Sequence, residues 1–527
     1  MGGAAGSLVE CWTLVGEASE PGRGHPLASQ PCLSHGEGMS HLIALDAGTT
    51  GVTAVLYAHD LRPVRRAYRE FDQHFPQPGW VEHCADDIRG AIDETLGELL
   101  VGFDGSITGI GITNQRETVF PLQRSTGKAL AKGIVWQDRR TEPRCESMRQ
   151  AGLQGMVKAK TGLLLDPYFS ATKMQWLLES VPAVYEAAEQ GDLVFATVDS
   201  LVAQHLVGGA HWVTDWTNAC RTMLFDLKSL RFDSELCDLF SVPMDCLAEV
   251  KPSVGALGLA NIPGGRRVPI LGMAGDQQAA LLGQGCWKAG DSKVTYGTGC
   301  FLVLNTGEVR VDSRGGLLST LALDSRGKPC FALEGSVFAG GLIIQWLRDG
   351  LGIVDSAGDS EALARSVDDS GGVTLVPAFA GLGAPHWDSD ARAALVGMTR
   401  GTHRGHIARA ALEAIALQCA DIIELLRAET GLALDSLRVD GGAVRNDLLM
   451  QMQADLTGVE IQRAVDIEST ARGAAALAGL GAGLWEDLHE VDAFQDAGSR
   501  FLPEMEAQGV RALRSQWNAA LARIKTR

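Results

Sequence analysis

Leu42-Ile43-Ala44-Leu45-Asp46-Ala47-Gly48-Thr49-Thr50-Gly51-Val52-Thr53-Ala54-Val55-Leu56-Tyr57-Ala58 reads as two apolar β-strands joined by a Gly-Thr turn, with a third strand expected over 63–71. The pattern returns at Ser292-Lys293-Val294-Thr295-Tyr296-Gly297-Thr298-Gly299-Cys300-Phe301-Leu302-Val303-Leu304-Asn305, followed by strand-like runs over 317–323 and 330–335. Two meanders that each turn on Gly and Thr after their leading strand predict a duplicated chain whose halves face each other over a cleft. The boundary is placed near residue 284, giving halves over 41–284 and 285–527.

Working outward, helical periodicity alternates with strand-like runs, which predicts mixed α/β architecture. In three places, 195–207, 269–283 and 437–456, an apolar strand meets Asp or Gly and runs straight into a helix. Such junctions set side chains and free backbone N–H groups beside helix N-termini, where anions bind favourably. The clearest helix, 407–428 with Gly431 as its stop, is read as a core element without chemistry. Residues 1–40, rich in Gly, Ser, Pro and His, are expected to be a disordered extension, with the functional chain starting at Met39.

Composition narrows the classes of function. The 527 residues carry 46 Lys+Arg against 64 Asp+Glu, a net charge of −18, without any dense basic run. Nucleic acid and anionic membranes are therefore poor partners. No apolar run reaches the roughly 18 residues of a membrane span. The eleven cysteines are odd in number and dispersed, and they form no cluster of zinc-ligand spacing. Reduced thiols and a cytoplasmic location are the expectation. A homo-oligomer is compatible with the sequence, which does not decide it.

Several residues carry candidate chemistry. Gly-rich turns present closely spaced N–H groups, and Thr hydroxyls add donors, so the turns at Thr49-Thr50-Gly51 and Thr298 suit phosphate oxygens. A hairpin turn would explain either one alone; two at equivalent places favour phosphate. Asp46, just before the first turn, suits Mg²⁺, which prefers carboxylate oxygen, or a local turn cap. Arg116 and Glu117 end an apolar strand side by side. Strand neighbours point to opposite faces, so only a loop would bring both side chains to a polyhydroxy ligand. Asp276, between an apolar run and a helix start, is either an N-cap or a base for an attacking hydroxyl. Gly441-Gly442 and Asn446 form either a tight turn or a seat for a flat adenine ring.

These residues sit within collinear blocks that include GWVEH, GITNQRET, IVWQDRR, DPYFSATK, GMAGDQQAALLGQ, YGTGCFLVLNTGE, IQWLRD and GLGAPHWD. From about residue 43 to 485 the chain resembles the FGGY family of carbohydrate kinases, in particular the members that phosphorylate glycerol. The resemblance implies two domains of the ribonuclease-H-like, actin/hexokinase type, and ATP-dependent transfer of phosphate to glycerol with Mg²⁺. It implies that Arg116, Glu117, Tyr168, Asp276 and Gln277 bind the hydroxyls, that Asp276 is the general base, and that Trp136 and Phe301 pack on the carbon chain. It assigns Thr49, Thr50, Gly51, Thr298, Gly341, Gln345, Gly442 and Asn446 to the nucleotide, and Asp46 to the Mg²⁺-phosphate region. One departure stands out. The family's first turn commonly reads G-T-T-S-S-R, whereas here Gly51 and Thr53 replace a Ser and an Arg. The resemblance leaves two rivals: a kinase of another small polyol or sugar, and a weakly catalytic binding protein.

Overall fold

The computed structural model describes residues 40–379, 381–388, 390–464, 468–491, 494 and 498–526. The expectations for the segment before Ser40, including a start at Met39, lie outside the described residues. From Ser40 onward the described residues form one compact unit.

The opening meander forms β1 (His41–Ala47), β2 (Gly51–Ala58) and β3 (Pro63–Glu70), paired antiparallel in sequence order. On its other side β1 runs parallel to β4 (Ile107–Asn114). The sheet continues through β6 (Arg266–Gly275) to β5 (Val254–Ile262), in the order β5-β6-β4-β1-β2-β3. Every residue of β2 is buried, as expected of an apolar strand covered on both faces. Alternation along β1 divides its side chains between two layers. Ile43 and Leu45 pack with helices α1 (Ala85–Leu100) and α2 (Val198–Val207).

The second meander forms β7 (Ser292–Tyr296), β8 (Cys300–Gly307), β9 (Leu318–Leu323) and β10 (Pro329–Val337). Here too the leading strand is antiparallel to the next strand and parallel, on its other side, to a later one, β11 (Ser436–Asp440). With β12 (Glu460–Arg463) and β13 (Arg500–Phe501) the order is β9-β10-β8-β7-β11-β12-β13. The duplication expected from the two Gly-Thr turns is thus present in strand direction as well as in sequence.

Three helices complete the frame. Helix α3 (Asp276–Gly283) follows β6 without a break. Helix α4 (Arg404–Thr430) covers the second sheet; it starts at a His403/His406 capping box and stops at Gly431, whose φ of +65° suits glycine. Helix α5 (Asp447–Thr457) follows β11 after one turn of 3₁₀ helix.

Helix α6 (Ser469–Gly481) was not foreseen. Although it lies in sequence between β12 and β13 of the second sheet, it packs on the first. Leu42 and Ala44 of β1 meet its Ala471, Ala474 and Ala478. Glycines make this approach close: a Cβ at Gly111 would lie 1.9 Å from the Ala474 carbonyl oxygen.

No helix among the described residues is long and apolar enough to cross a membrane. The nine cysteines among these residues are all free.

Candidate active site

The strand ends of both sheets open on two adjoining cavities. The first, about 350 Å³, is lined by Thr49, Thr50, Arg116, Glu117, Trp136, Tyr168, Asp276, Gln277, Thr298, Phe301 and Gln345. The second, about 560 Å³, is lined by Thr298, Gly341, Gln345, Gly442 and Asn446 among others. Gly297, Thr298 and Gln345 line both, so the second Gly-Thr turn is the threshold between them.

In the first cavity, the expected loop at Arg116-Glu117 is a γ-turn. The Thr118 N–H donates to the Arg116 carbonyl across 2.8 Å, and Glu117 sits at φ +63°. This left-handed residue breaks the strand's alternation, and both side chains reach the cavity. Such a conformation costs roughly 1–3 kcal/mol and persists only where the surroundings enforce it. Here the Glu117 carbonyl accepts from Ser170 Oγ at 3.0 Å and Lys173 Nζ at 3.3 Å. Burial brings the Lys173 ammonium down to about 7.

Arg116 offers five N–H donors. Nη1 faces Glu334 Oε2 at 2.7 Å and Gln278 Oε1 at 3.2 Å, Nη2 faces Glu334 Oε1 at 2.8 Å, and Nε lies 3.2 Å from Asp276 Oδ1. One Nη2 hydrogen is left for a ligand. Asp276 is the first residue of α3, and its Oδ1 accepts from the Gln277 N–H at 2.7 Å. Burial raises its carboxyl above the ordinary range, assisted by Glu334; Arg116, Lys293 and the Gln277 N–H only partly offset this. Gln277 itself accepts from the buried ammonium of Lys293.

Aromatic rings form the remaining wall. Trp136 stands edge-on to Tyr168 at 5.7 Å and to Phe301 at 5.9 Å, both at 77°. The Trp136 indole N–H donates to Thr49 Oγ1 at 3.0 Å, tying this wall to the first turn. The phenol of Tyr168 is pushed well up, by burial first and the Glu117 charge second.

Asp46 lies at the C-terminal end of β1, beside the first turn. Burial, then the Asp276 and Glu468 charges, push its carboxyl up to about 7 against the pull of Arg66. Gly51 is the one nucleotide candidate not brought to either cavity wall. Its carbonyl closes the turn by accepting from the Gly48 N–H at 3.0 Å. A Cβ there would lie 2.4 Å from the Arg69 carbonyl and 2.8 Å from the Tyr68 ring, so the close approach of β3 leaves room only for glycine.

In the second cavity, a Cβ at Gly442 would meet nothing within 4 Å, leaving an open shelf along the backbone. Asn446 caps α5, its Oδ1 accepting from the Leu449 N–H at 2.9 Å, so its amide donors are what it presents to a ligand. Leu412 shows that α4, read as purely core, also reaches this wall. Sequence reasoning likewise missed Gln73 and Gln137 in the first cavity, and Glu334, Arg221 and Lys293 behind it.

Duplicated α/β halves whose Gly-Thr turns border one cavity rich in hydroxyl-binding side chains and another floored by backbone define an enzyme that moves a group between two ligands. The chain belongs to the FGGY family of carbohydrate kinases: the family's N-terminal domain matches residues 41–283 and its C-terminal domain residues 292–482. It is 47% identical over 490 residues to a glycerol kinase of Carboxydothermus hydrogenoformans, covering 92% of this chain and 98% of that protein. A glycerol kinase of Rhodopirellula baltica is 49% identical over 488 residues, 92% of this chain and 90% of the other. Among solved structures, the Plasmodium falciparum glycerol kinase with ADP matches at a TM-score of 0.85 and 35% identity, over 92% of this chain and 98% of that one. A gluconate kinase from Lactobacillus acidophilus, at a TM-score of 0.81 and 23% identity over 92% and 98%, shares the fold.

Proposed function

We propose that this chain transfers the γ-phosphoryl group of ATP to a terminal hydroxyl of glycerol, giving sn-glycerol 3-phosphate and ADP. The observation that carries this reading is the convergence of Arg116, Glu117, Tyr168, Asp276 and Gln277 on one narrow slot that shares its threshold, Thr298 and Gln345, with the second cavity. The relatives named glycerol kinase support it over nearly their whole length.

In this reading Arg116, Glu117, Tyr168 and Gln277 hold the hydroxyls, and Trp136 and Phe301 pack on the CH-rich side of the triol. One terminal oxygen then points toward Thr298. As that oxygen bonds to the γ-phosphorus, its proton passes to the Asp276 carboxylate and the bond to the β–γ bridging oxygen breaks, releasing ADP. A carboxyl raised by burial is a stronger base than a solvated one. Thr49, Thr50 and Thr298 donate to phosphate oxygens. Gly341 and Gln345 flank the phosphates, and Gly442 and Asn446 receive the adenine.

Asp46 would hold Mg²⁺. The fit rests on a carboxylate at the end of β1 beside the first Gly-Thr turn, disfavoured on its own by burial and then by the Asp276 and Glu468 charges, both of which a cation relieves. Among the described residues no group of three or more His, Cys, Asp or Glu surrounds a single point, as suits an ion that takes most ligands from phosphate and water. When bound, Mg²⁺ supplies neutralisation of phosphate charge. The halves 41–284 and 285–527 are proposed to close about the segment near residue 284, because an open cleft would pass the phosphate to water.

Comparing turnover on glycerol with pentuloses, hexuloses and longer polyols tests the reading. Glycerol should lead in kcat/KM by about 10²-fold or more, because the wall that Trp136 and Phe301 form, in edge contact at 5.9 Å, is proposed to suit a three-carbon chain better than a longer one. A pentulose or hexulose that outperforms glycerol refutes it.

A further inference from the structure

Glu334 lines neither cavity. It lies within β10, wholly buried, where an unpaired carboxylate would be strongly disfavoured. Two guanidiniums from the other half of the molecule meet it. Arg116 grips it with both Nη atoms, at 2.7 and 2.8 Å, and Arg221 Nη2 lies 3.0 Å from Oε1. Arg221, equally buried, donates from Nε to Glu117 Oε1 at 2.7 Å. Arg116 reaches Asp276 through Nε at 3.2 Å. The closest contacts give one line, Asp276–Arg116–Glu334–Arg221–Glu117, along which Arg116 Nε also lies 3.8 Å from Glu117 Oε1. Its two ends are carboxylates of the first cavity, and its centre is the carboxylate that touches no ligand.

Burial alone would raise the Glu334 carboxyl, yet the Arg116 and Arg221 charges outweigh it and hold the group down to about 2. It therefore stays ionised at working pH, so the bidentate Arg116 contact is charge-assisted at both oxygens. Side chains as long as arginine reach a fixed orientation only when the fork of the guanidinium is matched by a planar partner. Glu334 supplies that partner for Arg116 and shares an oxygen with Arg221.

We propose that Glu334 is a positioning residue for the transfer reaction: its carboxylate fixes Arg116 and Arg221, and through them sets the placement of Asp276 and Glu117 on either side of the substrate. This rests on the reading of the first cavity as the glycerol site. A purely structural ion cluster would lower the melting temperature when broken without distinguishing one substrate from the other.

The test is steady-state kinetics on the full chain carrying Glu334→Gln. The amide keeps the size of the side chain but turns an N–H toward one guanidinium. The KM for glycerol should rise and kcat should fall, each about tenfold or more, while the KM for ATP stays within about twofold. Arg221→Lys retains the charge but gives up the rigid fork whose Nε and Nη2 hold Glu117 and Glu334 in fixed relation. It should raise the KM for glycerol about fivefold with the KM for ATP again unmoved. Should Glu334→Gln not accumulate as folded protein, Arg221→Lys carries the same test. Parameters unchanged from wild type, or KM values for glycerol and ATP rising together, overturn the proposal. Wild-type turnover on glycerol separates the two ideas: if it is absent, the glycerol reading fails, whereas an active wild type with kinetically silent variants removes only the positioning role.

Discussion

The two cavities are built on opposite principles. In the first, charged side chains hold one another: Asp276 is fixed by Arg116, Arg116 by Glu334, and Glu117 by Arg221. In the second, shape comes from the backbone, with a bare shelf at Gly442 and a helix cap at Asn446. A network of buried charges gives orientation at the cost of tolerance, since removing one member leaves another unpaired. A backbone shelf gives room for a flat ring and is sensitive only to added volume. Substitutions in the first cavity should therefore act on kcat and glycerol, and those in the second on ATP alone.

The largest expected effect is at Asp276. Asp276→Asn preserves shape but removes the proton acceptor, so kcat should drop about 10²–10⁴-fold, with both substrates still bound. Rapid-quench measurement of a single turnover checks that the loss is in the chemical step. An unchanged rate would remove Asp276 as the base and with it the contrast between the cavities.

A smaller effect, of opposite selectivity, is expected at Gly442. Its backbone is unstrained and its Cβ position is empty, so Gly442→Val should fold normally and intrude on the shelf. The KM for ATP should rise about tenfold, the equivalent of an overpacking cost of about 1–3 kcal/mol, with the KM for glycerol unchanged. The neighbouring Gly441 is the control for folding: it has φ +92°, and its Cβ would sit 2.5 Å from the Tyr296 carbonyl oxygen. Gly441→Val should destabilise the protein outright.

This contrast was only half legible in the sequence. The Gly-Thr turns, their leading strands and the strand-to-helix junctions announce themselves, because turn chemistry and hydrophobic periodicity are local properties. The Arg116-Glu117 pair was also legible, since two adjacent charges on one strand demand an irregular backbone, and the γ-turn supplies it. Glu334 was not. In CFALEGSV it is a single acid in an apolar strand, and only the arrival of Arg116 and Arg221 from more than a hundred positions away explains it. Helix α6 was missed for a related reason: its Ala- and Gly-rich face gives a weak periodic signal, and it is matched to glycines such as Gly111 that lie in another part of the chain.

The smallest expected effect separates two carboxyls that burial treats alike. Burial pushes both Asp46 and Glu334 upward, but guanidiniums reverse this at Glu334, to about 2, whereas at Asp46 the Asp276 and Glu468 charges add to it, to about 7. The consequences for stability have opposite signs. Asp46 binds its proton more tightly when folded, so its contribution is fully present below its ordinary value of 3.8 and is lost as pH rises through about 7. Glu334 binds its proton less tightly when folded, so its contribution is present above 4.5 and is lost as pH falls through about 2. Asp46→Asn, which is neutral throughout, should therefore match wild type near pH 4 and melt higher at pH 8. The gain should be on the order of 1 kcal/mol, because Asp46 retains solvent contact that screens the repulsion. Glu334→Gln should do the reverse, melting lower than wild type at pH 8 and closing the gap as the solution is acidified. Calorimetric melting across pH 2–8 in the absence of nucleotide measures both, and a melting temperature for Asp46→Asn at or below wild type at pH 8 would mean that neither burial nor its neighbours disfavour the Asp46 carboxylate.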